Sequence, residues 1–389
     1  MMTSKVVVKK KGETKVPSSL KQAQRQAISE VPLGHLESKE ATLGKVKSLL
    51  NKNKDLFMTS MDQYGKCKVQ EFEVDMKGHP PILVRPFRKS PKERELENKM
   101  TEEYIKSGVA GKSMSPWGFP VVLAAKKDGT VRFCVDYRKA NEVLGKPKYP
   151  LPRIDDDVDS MSGAQIFSTI DLKAAYWQIK IREADKDKLA FRTSEGCFSW
   201  NVMPFGVSTA PACFQQTMDL VLAGIKWNYA LVYLDDIIVY SKTEEEHLSH
   251  LEEVFKRLRK AGLKCNAEKC EFMKDKVAFL GHIISAEGIA PNQQKVQAVR
   301  EIKPPTTVTE VKSFLGMAGY YRKFIKNFSS IAEPITELTK LGVEFYWSHE
   351  CQQAFDHLKK ALTTSPILAH PGPTLQNRLK STRMHQESA

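Results

Sequence analysis

The chain has 389 residues, 41% hydrophobic and 27% charged, and a mean hydropathy of −0.40. That balance excludes a disordered chain, and no run approaches the roughly 18 apolar residues of a membrane span. Sixty Lys and Arg against 46 Asp and Glu leave a net charge of +14, a surplus that favours a polyanionic partner, above all nucleic acid.

Residues 1–67 read as a basic, partly flexible leader: Lys9, Lys10 and Lys11 cluster near its start, and residues 36–57 have helical spacing. The start lacks the apolar core of a signal peptide, and seven cysteines without a CxxC suit free thiols in a reducing, intracellular setting such as cytoplasm or nucleus. Cys265, Cys270 and His282 lack the second close ligand pair that a zinc site needs. Residues 119–125 (FPVVLAA) read as a buried strand, 126–130 as a turn around Asp128-Gly129, and 131–135 as the returning strand. Together they predict a β-hairpin with a basic tip. Pro147, Pro150 and Pro152 then interrupt regular structure.

Residues 166–171 read as a strand that ends in Asp171. Residues 230–241 (ALVYLDDIIVYS) are two β-rich runs around Asp235 and Asp236, a hairpin with carboxylates at its turn. Thr243 and Glu246 predict a capping box that opens a helix, with Leu251, Val254 and Leu258 on one face and Gly262 at its end. Residues 277–284 return to strand. Thr307 and Glu310 predict a second capping box before Val311, Phe314 and Ala318. Strands early and helices late predict an α+β chain. Its units are a β-rich core over 68–290, a helical unit over 291–342, and a short segment with a disordered tail over 343–389.

Adjacent aspartates repel, and packing does not favour them. Asp-Asp is good turn chemistry, so the pair alone is ambiguous. A divalent cation reverses the repulsion, because hard carboxylate oxygens suit Mg²⁺, which takes one or two of them plus substrate phosphates. If neighbouring strands bring Asp171 beside Asp235, three carboxylates can hold two Mg²⁺ ions (Mn²⁺ being the expected substitute). Such a pair can clamp both oxygens of a phosphoryl transfer.

Seven strings then carry a family resemblance: SPWGFPVVLAAKKDGTVRFCVDYRKAN (115–141), YPLPRIDD (149–156), FSTIDLKAAYWQI (167–179), MPFGVSTAPACFQ (203–215), YLDDIIVYS (233–241), FLGHIIS (279–285) and VKSFLGMAGYYRKFI (311–325). In this order they resemble the reverse transcriptase of gypsy-like LTR retrotransposons, which is similar to the retroviral enzymes. The resemblance covers residues 70–368. It implies a right-hand polymerase fold of fingers, palm and thumb, with an antiparallel palm sheet and a helical thumb. It also implies a template of RNA or DNA with its primer, dNTP substrates, and catalytic, metal-binding carboxylates at Asp171, Asp235 and Asp236.

By the same resemblance Tyr176 is the gate against a ribose 2′-hydroxyl, and Phe205 and Gly206 line the nucleotide pocket. Arg132 and one of Lys126 and Lys127 meet the triphosphate, where charge-assisted donors are needed as pyrophosphate leaves. Phe279, Leu280, Gly281 and His282 form the primer grip, and Tyr321, Arg322 and Lys323 face nucleic acid from the thumb. Asp136 and Arg138 are expected to pair and brace the fingers, and Asp155, Asp156 and Asp157 to favour a helix start rather than catalysis.

No Asp-Thr-Gly or Asp-Ser-Gly protease motif, integrase-like His/Cys pattern or ribonuclease H carboxylate set is expected here; by the resemblance residues 343–389 are a truncated start of the connection/ribonuclease H-like region with a disordered tail, and the resemblance fades from Gly372. An RNA-directed DNA polymerase is the leading reading. The alternatives are a catalytically silent nucleic-acid-binding remnant and a polymerase that makes RNA, the latter disfavoured by Tyr176.

Overall fold

The computed structural model describes residues 26, 28–57, 64–126, 129–147, 149–152 and 160–363. Lys127, Asp155, Asp156, Asp157, the three-lysine cluster and the tail beyond 363 lie outside them.

The first sheet has five strands in the order β1-β6-β5-β2-β3: β1 (Ala110–Lys112), β2 (Phe119–Ala125), β3 (Val131–Val135), β5 (Phe191–Thr193) and β6 (Gly196–Trp200). The predicted hairpin is β2–β3, antiparallel from Val121↔Val135 to Ala125↔Val131. Its turn closes through Lys126 N–H to the Thr130 carbonyl at 2.8 Å. The first three residues of β2 are buried, and the strand becomes more exposed toward the hairpin tip. This basic tip therefore stands clear of the core.

The second sheet, β7-β8-β4-β9, joins β4 (Ile166–Asp171), β7 (Ala230–Tyr233), β8 (Asp236–Ser241) and β9 (Glu271–Lys274) in antiparallel pairs. Alternation explains its composition. Ile170, Val232, Ile237 and Val239 enter one apolar core, while Phe167, Leu231, Ile238 and Tyr240 enter another. A sheet covered on both faces reads as a continuous apolar run, as 237–240 does.

Helices wrap the first core: α1 (Glu40–Lys52), α2 (Pro91–Lys106), α3 (Arg138–Val143), α4 (Ala210–Val221) and α5 (Glu244–Ala261). Both predicted capping boxes differ in one arm. Thr243 Oγ1 accepts from Glu246 N–H at 3.3 Å, but the Glu246 carboxylate accepts from Lys242 N–H rather than from the cap residue. Glu310 likewise accepts from Thr306 N–H, at 2.7 Å. In each case the glutamate reaches one residue further back than expected. A complete box occurs at α2 instead, between Ser90 and Glu93.

The run 277–284 is two strands, not one. β10 (Lys276–Phe279) and β11 (His282–Ser285) meet at Leu280 and Gly281, whose φ values of 47° and 76° make a tight two-residue turn. β12 (Gly288–Pro291) completes that sheet. Helices α6 (Gln293–Arg300), α7 (Val308–Tyr320), α8 (Phe328–Glu337) and α9 (His349–Thr363) fill the second core.

Two expected boundaries do not divide the packing. Leu50, Leu56 and Phe57 belong to the first core, Thr42 donates to Glu244 at 2.6 Å, and Arg259 grips Asp55 through two bonds, so the described part of 1–67 is built into the core. Past 342, α9 packs on the helical unit: Phe355 lies 4.7 Å from Phe314 between ring centroids, and Lys359 donates to the Ile302 carbonyl at 2.6 Å.

Candidate active site

The antiparallel register of β4 and β8 sets Asp171 directly opposite Asp236. Asp236 is also opposite Tyr233 across the β7–β8 hairpin, so Leu234 and Asp235 form the two-residue turn. The three carboxylates predicted from sequence thus share one sheet end. Asp171 is half-buried, whereas Asp235 and Asp236 are exposed.

Their electrostatics follow from the crowding. Desolvation, then the charges of Asp235 and Asp171, push the Asp236 carboxyl up to about 6. Desolvation also raises Asp171, against the pull of Lys269, whose Nζ lies 3.6 Å from Asp171 Oδ2, and of a hydrogen bond from Asn266. Among the described residues, no three His, Cys, Asp or Glu side chains by themselves enclose a metal. Like-charged oxygen donors in the open still fit a hard cation that takes one or two carboxylates and completes its shell from substrate phosphates.

Tyr176 sits in the one-turn helix Ala175–Gln178 that follows β4. Its ring stacks on Phe205, with centroids 5.2 Å apart and planes 27° apart. Desolvation, then the Asp235 charge, push its hydroxyl up to about 12, which keeps it a neutral phenol. Phe205 is 53% exposed, an apolar ring left open beside Tyr176. Gly206 (φ 91°) turns the loop here, and Asn141 pins it by donating to the Gly206 carbonyl at 3.0 Å and accepting from Ser208 N–H at 2.9 Å.

On the hairpin tip, Lys126 and Arg132 are exposed, while Lys127 is outside the described residues. Asp136 and Arg138 form a two-point pair at 2.7 and 2.9 Å. In the region expected to grip the primer, Phe279 and His282 are buried, leaving the Leu280-Gly281 turn as the accessible part. Tyr321 is also buried, correcting its expected place on a nucleic-acid face: its hydroxyl donates to the Gly281 carbonyl at 2.9 Å. Arg322 is exposed, and Lys323 leans over the Phe324 ring at 5.7 Å.

Lys269, Asn266 and Asn141 were not singled out from sequence. Lys269 and Asn266 reach Asp171 only because β9 folds back beside β4. Cys265 and Cys270 flank that segment as buried thiols; burial raises both, Cys270 to about 12.

Residues 124–284 match the family described as reverse transcriptase (RNA-dependent DNA polymerase). That stretch holds all three aspartates, Tyr176 and the Leu280-Gly281 turn. This segment is a reverse transcriptase domain. Among curated relatives, the Tf2-3 and Tf2-7 transposon polyproteins of Schizosaccharomyces pombe are each 36% identical over 301 residues. The match covers 77% of this chain and 23% of each relative, so the chain spans about a quarter of their length. Among solved structures, the foamy viral protease-reverse transcriptase dRH in complex with double-stranded DNA is similar at TM-score 0.79 and 24% identity, over 94% of this chain and 64% of that one. The foamy viral protease-reverse transcriptase with an RNA/DNA hybrid gives 0.76 at 24% identity, over 93% and 48%. The fold around this reverse transcriptase domain is therefore a reverse transcriptase polymerase fold, with mixed α and β content. Enzymes with such domains generally depend on a divalent metal. Among the described residues, no helix is long and apolar enough to cross a membrane.

Proposed function

We propose that the chain is an RNA-directed DNA polymerase that extends a primer with dNTPs on an RNA or DNA template. The observation that carries this reading is Asp171 facing Asp236 across paired strands, with Asp235 on the adjoining turn, inside a reverse transcriptase domain. In the reaction the primer 3′-hydroxyl loses its proton to solvent and its oxygen bonds to the α-phosphorus of the dNTP. The bond to the bridging oxygen breaks, and pyrophosphate leaves with that electron pair.

Asp171 and Asp235 would hold two Mg²⁺ ions, or Mn²⁺ in their place, with Asp236 in support. Bound there, the ions supply a lowered hydroxyl pKa and a counter-charge for the phosphates. The chain's own groups do the rest. Tyr176, propped by Phe205, fills the space a 2′-hydroxyl would need. Arg132 and one of Lys126 and Lys127 would donate to the triphosphate. The net charge of +14 supports binding of a polyanionic template and primer, as do the structural relatives solved with double-stranded DNA and an RNA/DNA hybrid.

The test is Mg²⁺-dependent primer extension on an RNA template, with Asp235→Asn run in parallel. Extension by the wild type, lost in a folded Asp235→Asn protein, is the expected result. Extension by both, or by neither while template and primer still bind, would sink the reading.

A further inference from the structure

Gln215 is fully buried on α4, and the reaction above gives it no part. A side-chain amide carries an acceptor oxygen and two N–H donors, and leaving them unmet in the interior is costly. Here they are spent largely on the catalytic hairpin. Leu234 N–H donates to Gln215 Oε1 at 2.8 Å, and Gln215 Nε2 donates to the Val232 carbonyl at 3.0 Å. One side chain thus grips the end of β7 and the first turn residue, on either side of Tyr233.

That turn needs holding. Leu234 has φ 55°, in the left-handed region that a non-glycine residue enters at a cost and keeps only when its surroundings enforce it. Asp235 is the next residue. Gln215 itself is oriented from behind: its Nε2 also donates to Asp219 Oδ1 at 3.0 Å, and a carboxylate can only accept. The other Asp219 oxygen takes the Tyr149 hydroxyl at 2.5 Å and Lys226 Nζ at 2.8 Å. A continuous polar chain therefore runs from Tyr149 through Asp219 and Gln215 to the catalytic turn.

We infer that Gln215 is the positioning residue of the catalytic turn: its amide fixes the Leu234-Asp235 peptide so that the Asp235 carboxylate is presented beside Asp171 and Asp236. Asp219 sets the orientation of that amide. The inference rests on the polymerase reading. Gln215 touches no reacting atom and acts through the Leu234 backbone.

Gln215→Met keeps the length and packing of the side chain and deletes the amide. The full chain would be studied with bound template and primer. Mn²⁺ binding is followed by electron paramagnetic resonance without dNTP, next to kcat, the KM for dNTP, the template-primer Kd and the melting temperature. The expected result is Mn²⁺ affinity lower by at least about threefold and kcat by at least about tenfold, with KM and Kd within about twofold. Asp219→Ala leaves the amide of Gln215 in place and removes the carboxylate that orients it, together with that carboxylate's contacts to Tyr149 and Lys226, and is expected to lower kcat by about threefold. It serves as the second variant should Gln215→Met not fold. A folded Gln215→Met protein, or a folded Asp219→Ala protein in its place, with wild-type Mn²⁺ binding and kcat overturns the inference alone. A wild type that neither binds Mn²⁺ through Asp235 nor extends a primer overturns the polymerase reading, and this inference with it.

Discussion

Acid should unfold this protein partly through one histidine. His247 is completely buried between α5 and the sheet, with its ring nitrogens 2.7 Å from Ser168 Oγ and 2.9 Å from Ser241 Oγ. Burial, then the neighbouring His250, lower its pKa from 6.5 to about 3. In the unfolded chain the imidazole takes its proton near the ordinary value, whereas in the folded chain it resists until far lower pH. The unfolded state therefore binds more protons across that window, and stability falls as pH drops from about 6.5 toward about 3. For a shift of this size, the loss from this group alone is about 3 kcal/mol at about pH 4.5, rising toward about 5 kcal/mol below it. Urea unfolding of the wild type and of His247→Gln between about pH 7.5 and 4.5 isolates the His247 term together with its coupling to His250, because groups that do not interact with His247 titrate in both proteins and cancel in the difference. The difference should shift in favour of the variant by about 2 to 3 kcal/mol on acidification. A pH-independent difference, or a His247 ring that titrates near 6.5 by NMR in the folded protein, would refute the reasoning.

Other expectations follow from single contacts. Gly262 closes α5 with φ 77°, and a Cβ there would lie 2.2 Å from the Lys66 carbonyl oxygen. Gly262→Ala should thus cost at least about 2 kcal/mol in urea unfolding, and wild-type stability would contradict the packing. Tyr176→Ala should raise rNTP use relative to dNTP by at least about tenfold in competitive primer extension. An unchanged ratio would remove Tyr176 from the proposed gating role. Tyr321→Phe deletes the 2.9 Å bond to the Gly281 carbonyl, which still accepts from Asn292 N–H at 3.1 Å. Its cost should be about 1 kcal/mol by urea unfolding; a loss of several kcal/mol would mean that the hydroxyl holds more than this one carbonyl.

The parts most legible in the sequence were those written in local chemistry. The β2–β3 and β7–β8 hairpins followed from turn residues between apolar runs, and Thr243 and Thr307 marked their helices correctly. The juxtaposition of Asp171 with the Asp235-Asp236 pair needed a strand pairing across more than sixty residues, which the residues raised only as a condition and the family resemblance then implied. Where the reading fell short, tertiary context decided. Leu280-Gly281 carries no Asn or Asp turn signature, so 277–284 passed for one strand. The family resemblance set Tyr321 and His282 against nucleic acid, yet Tyr321 packs into the second core and the buried His282 ring lies against Tyr321 and Phe324, as a packing histidine would. Lys269 and Gln215 had no distinguishing local pattern, since a lysine near a cysteine and a glutamine after a phenylalanine gain meaning only from what folds against them.

The division of the palm sheet between two cores works as a reading frame for the site. Successive residues of β4 and β8 belong to opposite cores, so Phe167 and Ile170, like Ile237 and Ile238, each have only one acceptable side. A slip of one residue would turn every one of them to the wrong core while sliding Asp171 away from Asp236. Inserting one residue within either strand should therefore cost packing and carboxylate placement together. Inserting two would return each side chain to its own core yet leave Asp171 two places along β8, giving a folded protein with a misaligned centre. Between them, the two hydrophobic cores protect an arrangement of charges that neither of them contains.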